Sequence, residues 1–94
     1  RLPAVLRRGD LTISVSTGGA SPMLTQKIRD ELAHQYGAEY ETIVSFFAHV
    51  RRHVQNTVAD EQERRQYFAR LIEMDTAELL QAIREQRLDF DDRE

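Results

Sequence analysis

Arg8-Gly9-Asp10-Leu11-Thr12-Ile13-Ser14-Val15-Ser16-Thr17-Gly18-Gly19-Ala20-Ser21-Pro22 joins an alternating strand to a glycine turn and a ready-made helix start. Leu11, Ile13 and Val15 alternate with Thr12, Ser14 and Ser16, the period-two pattern of a strand with one apolar and one hydroxyl-bearing face. Gly18 and Gly19 permit backbone angles that side chains forbid. Ser21 followed by Pro22 reads as an N-cap with proline at the first helical position. A junction of this kind presents backbone N–H groups beside hydroxyls, which suits an anion such as a carboxylate or phosphate. The groups in question are the side chains of Ser16, Thr17 and Ser21 and the amides around Gly18 and Gly19. Arg7 and Arg8, which leave one strand as the next begins, are placed to reach the same anion. The alternative is an ordinary strand-to-helix turn capped by Ser21. Neither a Walker loop nor a dinucleotide fingerprint fits, because no Gly-Lys-Ser/Thr follows and no third glycine stands at the required spacing.

Upstream of the junction, residues 4–6 are apolar and extended in character, and residues 7–10 form a polar, glycine-containing break. This predicts a hairpin or two edge strands, with Pro3 tolerated only at a strand start or an edge. Two short strands make a poor sheet alone, so another chain or domain is expected to cover their edges.

Downstream, everything reads as helix. Leu24, Ile28, Leu32 and Tyr36 recur every four residues, with Lys27, Arg29, Asp30 and Glu31 on other faces and Gly37 as the stop. A second helix over 39–58 gathers Tyr40, Ile43, Val44, Phe47, Val50 and Val54 on one stripe. Asp60 with Glu63, and Asp75 with Glu78, have the spacing of capping pairs before two further apolar runs. The end, residues 89–94, is acidic with one aromatic and reads as a frayed tail.

Composition removes several classes of function. Ninety-four residues allow one small domain or two sub-domains too small to be robust alone, so a partner chain is expected to complete the core. The net charge of -3 argues against a nucleic-acid binder, and no apolar run is long enough for a membrane span. Without cysteine there is no disulfide framework and no thiolate metal site. His49 and His53 stand four apart on one helical face, a spacing that can clamp a metal. Arg51 and Arg52 lie between them and would repel a cation, so the pair reads as partly exposed helix histidines and no metal site is assigned. Arg51, Arg52, Arg64, Arg65 and Arg70 read as solvated faces, and Phe46, Phe47, Tyr67 and Phe68 as core or interface. No nucleophile triad or paired-carboxylate site is evident. A soluble cytoplasmic protein is the expectation, and Arg1 in place of methionine suggests a chain that begins inside a longer polypeptide.

The stretch from Arg8 to Pro22, followed by Lys27-Ile28-Arg29-Asp30-Glu31-Leu32, resembles the middle region of the siroheme synthase family, with good motif specificity from Pro3 to about Tyr36. That family comprises precorrin-2 dehydrogenases, some of which are also sirohydrochlorin ferrochelatases. The resemblance implies an N-terminal NAD-binding Rossmann domain followed by a dimerisation segment and a helical domain, of which only the latter two are present here. It further implies oxidation of precorrin-2 to sirohydrochlorin with NAD, with ferrous iron as a substrate where the parent also chelates. The resemblance places Thr17 in the cleft between the nucleotide domain and the dimer partner, with Ser16, Gly18, Gly19 and Ser21 as neighbours and Arg8 as a further substrate contact. No catalytic, NAD-binding or metal-binding residue is expected in this portion, which should be inactive alone.

The expected fold is therefore α+β and mostly α, with a short β segment used in dimerisation and a small bundle of about four helices. Residues 1–36 form the dimerisation segment and residues 37–94 the helical domain with its acidic tail. The expected partners are a second copy of the chain and a tetrapyrrole. A non-catalytic helical interaction module is the competing possibility.

Overall fold

The computed structural model describes residues 2–86. It contains two antiparallel strands, β1 (Ala4–Arg8) and β2 (Leu11–Val15), then helices α1 (Pro22–Gln35), α2 (Glu39–Thr57), α3 (Glu61–Glu73) and α4 (Thr76–Arg84). The mostly helical α+β expectation is met. The acidic stretch 89–94 lies outside the described residues. The chain divides within α2 into two compact units, Arg1–Val44 and Ser45–Glu94.

In the first unit, Gly9 and Asp10 form a two-residue turn, and of the two only Gly9 has a positive φ, 59°. Glycine at the first central position is the pattern of a type II′ hairpin, whose twist matches the strands it joins. The register pairs Ala4 with Val15, Leu6 with Ile13 and Arg8 with Leu11 on one face. Leu6, at 1% exposure, is the centre of this face, and α1 lies against both strands. The opposite face carries Arg7, Thr12 and Ser14, all exposed. A two-residue turn makes the three pairs just named the hydrogen-bonded ones, so backbone groups of Val5 and Arg7 leave one edge and those of Thr12 and Ser14 the other. On the β1 edge, Arg29 Nε donates to the Val5 carbonyl at 3.2 Å. The β2 edge has no partner among the described residues.

No residue of α1 is fully buried, and Leu24 of the predicted stripe is 46% exposed. Helix α1 ends just before Gly37, as the sequence suggested, but without a left-handed glycine cap. Gly37 does not take a positive φ, and Tyr36 closes the helix with φ -113°. Arg8 supplies the cap instead, its Nε donating to the Tyr36 carbonyl at 2.9 Å and an Nη to the Ala33 carbonyl at 3.2 Å. These are carbonyls that the helix itself leaves without partners.

In the second unit, Val50, Val54, Leu71, Leu79 and Ala82 are buried. Phe47 and Phe68 pack with ring centroids 6.2 Å apart, joining α2 to α3. Asp60 caps α3 by accepting from the Gln62 N–H, whereas Asp75 occupies the N-cap position of α4 without a side-chain bond. Arg64 is no solvated charge: it donates to the carbonyls of Val58 at 2.7 Å and Ala59 at 3.0 Å. No helix of the described residues is long and apolar enough to cross a membrane, and no cluster of metal-ligating side chains occurs among them.

Candidate ligand site at the strand-to-helix turn

Gly18 and Gly19, with φ of 65° and 83°, turn the chain out of β2, and Ser21 and Pro22 start α1 as N-cap and first helical residue. Beside this turn lies a hollow of about 310 Å³ lined on its polar side by Ser16, Thr17, Gly19, Thr25 and Gln26 and on its apolar side by Leu2, Pro3, Ala4, Val15 and Pro22. Of the residues expected to meet a ligand, the structure therefore gathers Ser16, Thr17 and Gly19 around one cavity, with Gly18 and Ser21 in the same turn. Arg8 is not among them. It sits at the far end of the hairpin, bonded to the C-terminus of α1, about 20 Å along that helix from Ser21.

The expectation of several free amides is corrected by the hydrogen bonding. Gly18 N–H donates to Ser16 Oγ at 3.3 Å, and Ala20 N–H to the Thr17 carbonyl at 3.1 Å. Ser21 N–H reaches Thr17 Oγ1 at 3.3 Å, Leu24 N–H reaches Ser21 Oγ at 3.1 Å, and Thr25 N–H reaches the Ser21 carbonyl at 3.0 Å. Pro22 has no N–H. From Gly18 to Thr25, the amides of Gly19 and Met23 alone have no partner among the described residues. The reason is local: serine and threonine oxygens compete for the same donors that a ligand would use.

The electrostatics follow the same economy. Among the described residues no cation lines the hollow, and no acidic residue stands in the first turn of α1. The positive end of that helix dipole is thus uncompensated on its own turn, favouring a negative group modestly. Thr25 and Gln26 were missed by sequence reasoning, although Thr25 stands four residues after Ser21, one helical turn on.

Residues 8–35 match the family model described as the central region of sirohaem biosynthesis proteins. A siroheme synthase of Methylococcus capsulatus is 31% identical over 77 residues, which is 82% of this chain and 16% of that protein. A precorrin-2 dehydrogenase of Methanosarcina barkeri is 29% identical over 75 residues, 80% of this chain and 34% of that protein. The solved structure of SirC, a precorrin-2 dehydrogenase, superimposes with a TM-score of 0.81 at 25% identity, covering 94% of this chain and 43% of that one. The chain thus spans less than half the length of each of these relatives.

Proposed function

The chain belongs to the siroheme synthase family, whose central segment it carries at residues 8–35, and on that premise we propose that it is the dimerisation and helical portion of an NAD-dependent precorrin-2 dehydrogenase. In this reading residues 1–36 form the dimerisation segment, residues 37–94 form the helical domain, and the protein acts in the cytoplasm. The turn from Ser16 to Ser21 supplies one wall of the tetrapyrrole site. The observation that carries the reading is the hydroxyl-lined hollow beside Gly19, which lies within the segment that the family model matches.

A polycarboxylated macrocycle is a suitable occupant because its periphery offers many acceptors to a few fixed donors. Here those donors are the Ser16 hydroxyl and the Gly19 amide, near the positive end of α1. With no cation among the described residues of the hollow's lining, groups beyond those residues are expected to meet most of the ligand's charge, as in one wall of a shared cleft. The described residues do not fit NAD. The turn has no third glycine and uses most of its amides internally, so in this reading a separate nucleotide-binding domain holds the hydride acceptor. Where the parent also inserts ferrous iron, the metal is a substrate.

The β2 edge, which has no partner among the described residues, supports the dimer, since exposed strand edges recruit another strand. So do the exposed apolar side chains of Leu2, at 94%, and Met23, at 84%. The reading is tested by supplying precorrin-2 and NAD to the full-length protein. Stoichiometric NADH and sirohydrochlorin are expected, and their absence from a folded protein that retains its nucleotide would refute it.

A further inference from the structure

We infer that Thr17 and Thr25 form a hydroxyl brace that positions the turn, and that the ligand-facing hydroxyl of the junction belongs to Ser16. The second half rests on the proposed tetrapyrrole site, whereas the first stands on geometry alone.

Four contacts converge on two side chains. Thr17 Oγ1 lies 2.9 Å from Thr25 Oγ1, 3.3 Å from the Ser21 carbonyl and 3.3 Å from the Ser21 N–H. Thr25 Oγ1 lies 2.9 Å from the same Ser21 carbonyl. Each hydroxyl has one proton, and two arrangements fill the contact between the hydroxyls and bond the Ser21 carbonyl as well. In one, Thr25 donates to the Ser21 carbonyl and Thr17 donates to Thr25. In the other, Thr17 donates to the Ser21 carbonyl and Thr25 donates to Thr17. Either way both protons are used inside the junction, and the Ser21 amide donates into the pair.

Thr17 can offer its proton to a ligand only by giving up its bond to the Ser21 carbonyl, with Thr25 then donating to Thr17. Its engagement ties the exit of β2 to the second turn of α1 across eight residues. Thr25, on the helix, becomes a positioning residue for the loop. Ser16 differs: its Oγ accepts from the Gly18 N–H, its own proton has no acceptor among the described residues, and it is exposed on the hollow.

The test uses the full-length protein, hydrogen exchange of the amides from Thr17 to Thr25, and titration with sirohydrochlorin. Thr17→Val and Thr25→Val keep the branched shape without the hydroxyl, and each is expected to speed exchange at Ala20 and Ser21 about five- to tenfold. Thr25→Ser keeps the hydroxyl and should restore wild-type exchange and affinity. Ser16→Ala should leave exchange unchanged while weakening sirohydrochlorin about tenfold, by loss of a donor to a charged acceptor. Wild-type exchange in both valine variants overturns the brace. Undiminished affinity in Ser16→Ala, beside a loss in Thr17→Val with undisturbed exchange, overturns the assignment to Ser16. Wild-type affinity in every variant removes the proposed site, while faster exchange in the valine variants would still establish the brace.

Discussion

Gly9 and Gly18 share a left-handed backbone, with φ of 59° and 65°, but not the same surroundings. A Cβ on Gly9 would stand 2.8 Å from Glu41 Cγ, whereas one on Gly18 meets nothing within 4 Å. Gly18→Ala is expected to cost roughly 1–2 kcal/mol from backbone conformation alone. Gly9→Ala should cost more, because the Glu41 side chain must also move, and urea unfolding of both variants checks the order. Tyr67 offers a second test at this scale. Partial burial raises its phenol above the ordinary value near 10, and the neighbouring Arg70 opposes that shift. A phenol that holds its proton more tightly when folded contributes stability fully below the unfolded pKa, and that contribution declines as pH rises through the folded one. Wild-type protein should therefore lose stability above about pH 10 more steeply than Tyr67→Phe, by thermal melts across the alkaline range. Parallel curves would count against it.

At the scale of elements, arginine side chains close chain segments that local sequence leaves open. Arg8 caps α1 from 25 and 28 residues away, and Arg64 ties down the carbonyls of Val58 and Ala59 beyond the end of α2. Replacing Arg8 by alanine is expected to cost about 1–3 kcal/mol in urea unfolding, since two helix-end carbonyls lose charged donors. The N-caps make a matched pair: Asp60→Ala should lower stability by about 1 kcal/mol, and Asp75→Ala, which removes no side-chain cap bond, by clearly less. These contrasts mark what a sequence can disclose. The stripe through Ile43, Val50 and Val54, the Ser21–Pro22 start and the alternation in β2 are short-range patterns, and each was legible. The stop before Gly37 was legible too, but its cap was not, because the arginine that bonds the last carbonyls of α1 comes from β1, beyond the reach of any window centred on the helix. The glycine turn was legible as a feature. Its wiring was not, because whether a hydroxyl faces its own backbone or solvent depends on Thr25 meeting Thr17, a tertiary fact.

For the whole molecule, the proposed dimer rests on a two-stranded sheet whose β2 edge has no partner among the described residues. The proposed dimer has a direct test in Ser14→Pro. Ser14 points its N–H out of the hairpin, so proline there removes an edge donor without touching the β1–β2 ladder. Sedimentation is expected to show a dimer for the wild type and a folded monomer for the variant. A variant that stays dimeric would place the interface elsewhere. The account depends above all on the hollow beside Gly19 receiving a multiply acidic ring, and Ser16→Asp addresses this by placing a negative charge on its wall at an exposed strand end. Titrated with sirohydrochlorin at low ionic strength, the full-length variant should bind at least about tenfold more weakly than wild type, with the difference shrinking as salt is added. Equal affinity at low salt, in a protein with unaltered circular dichroism, would contradict it.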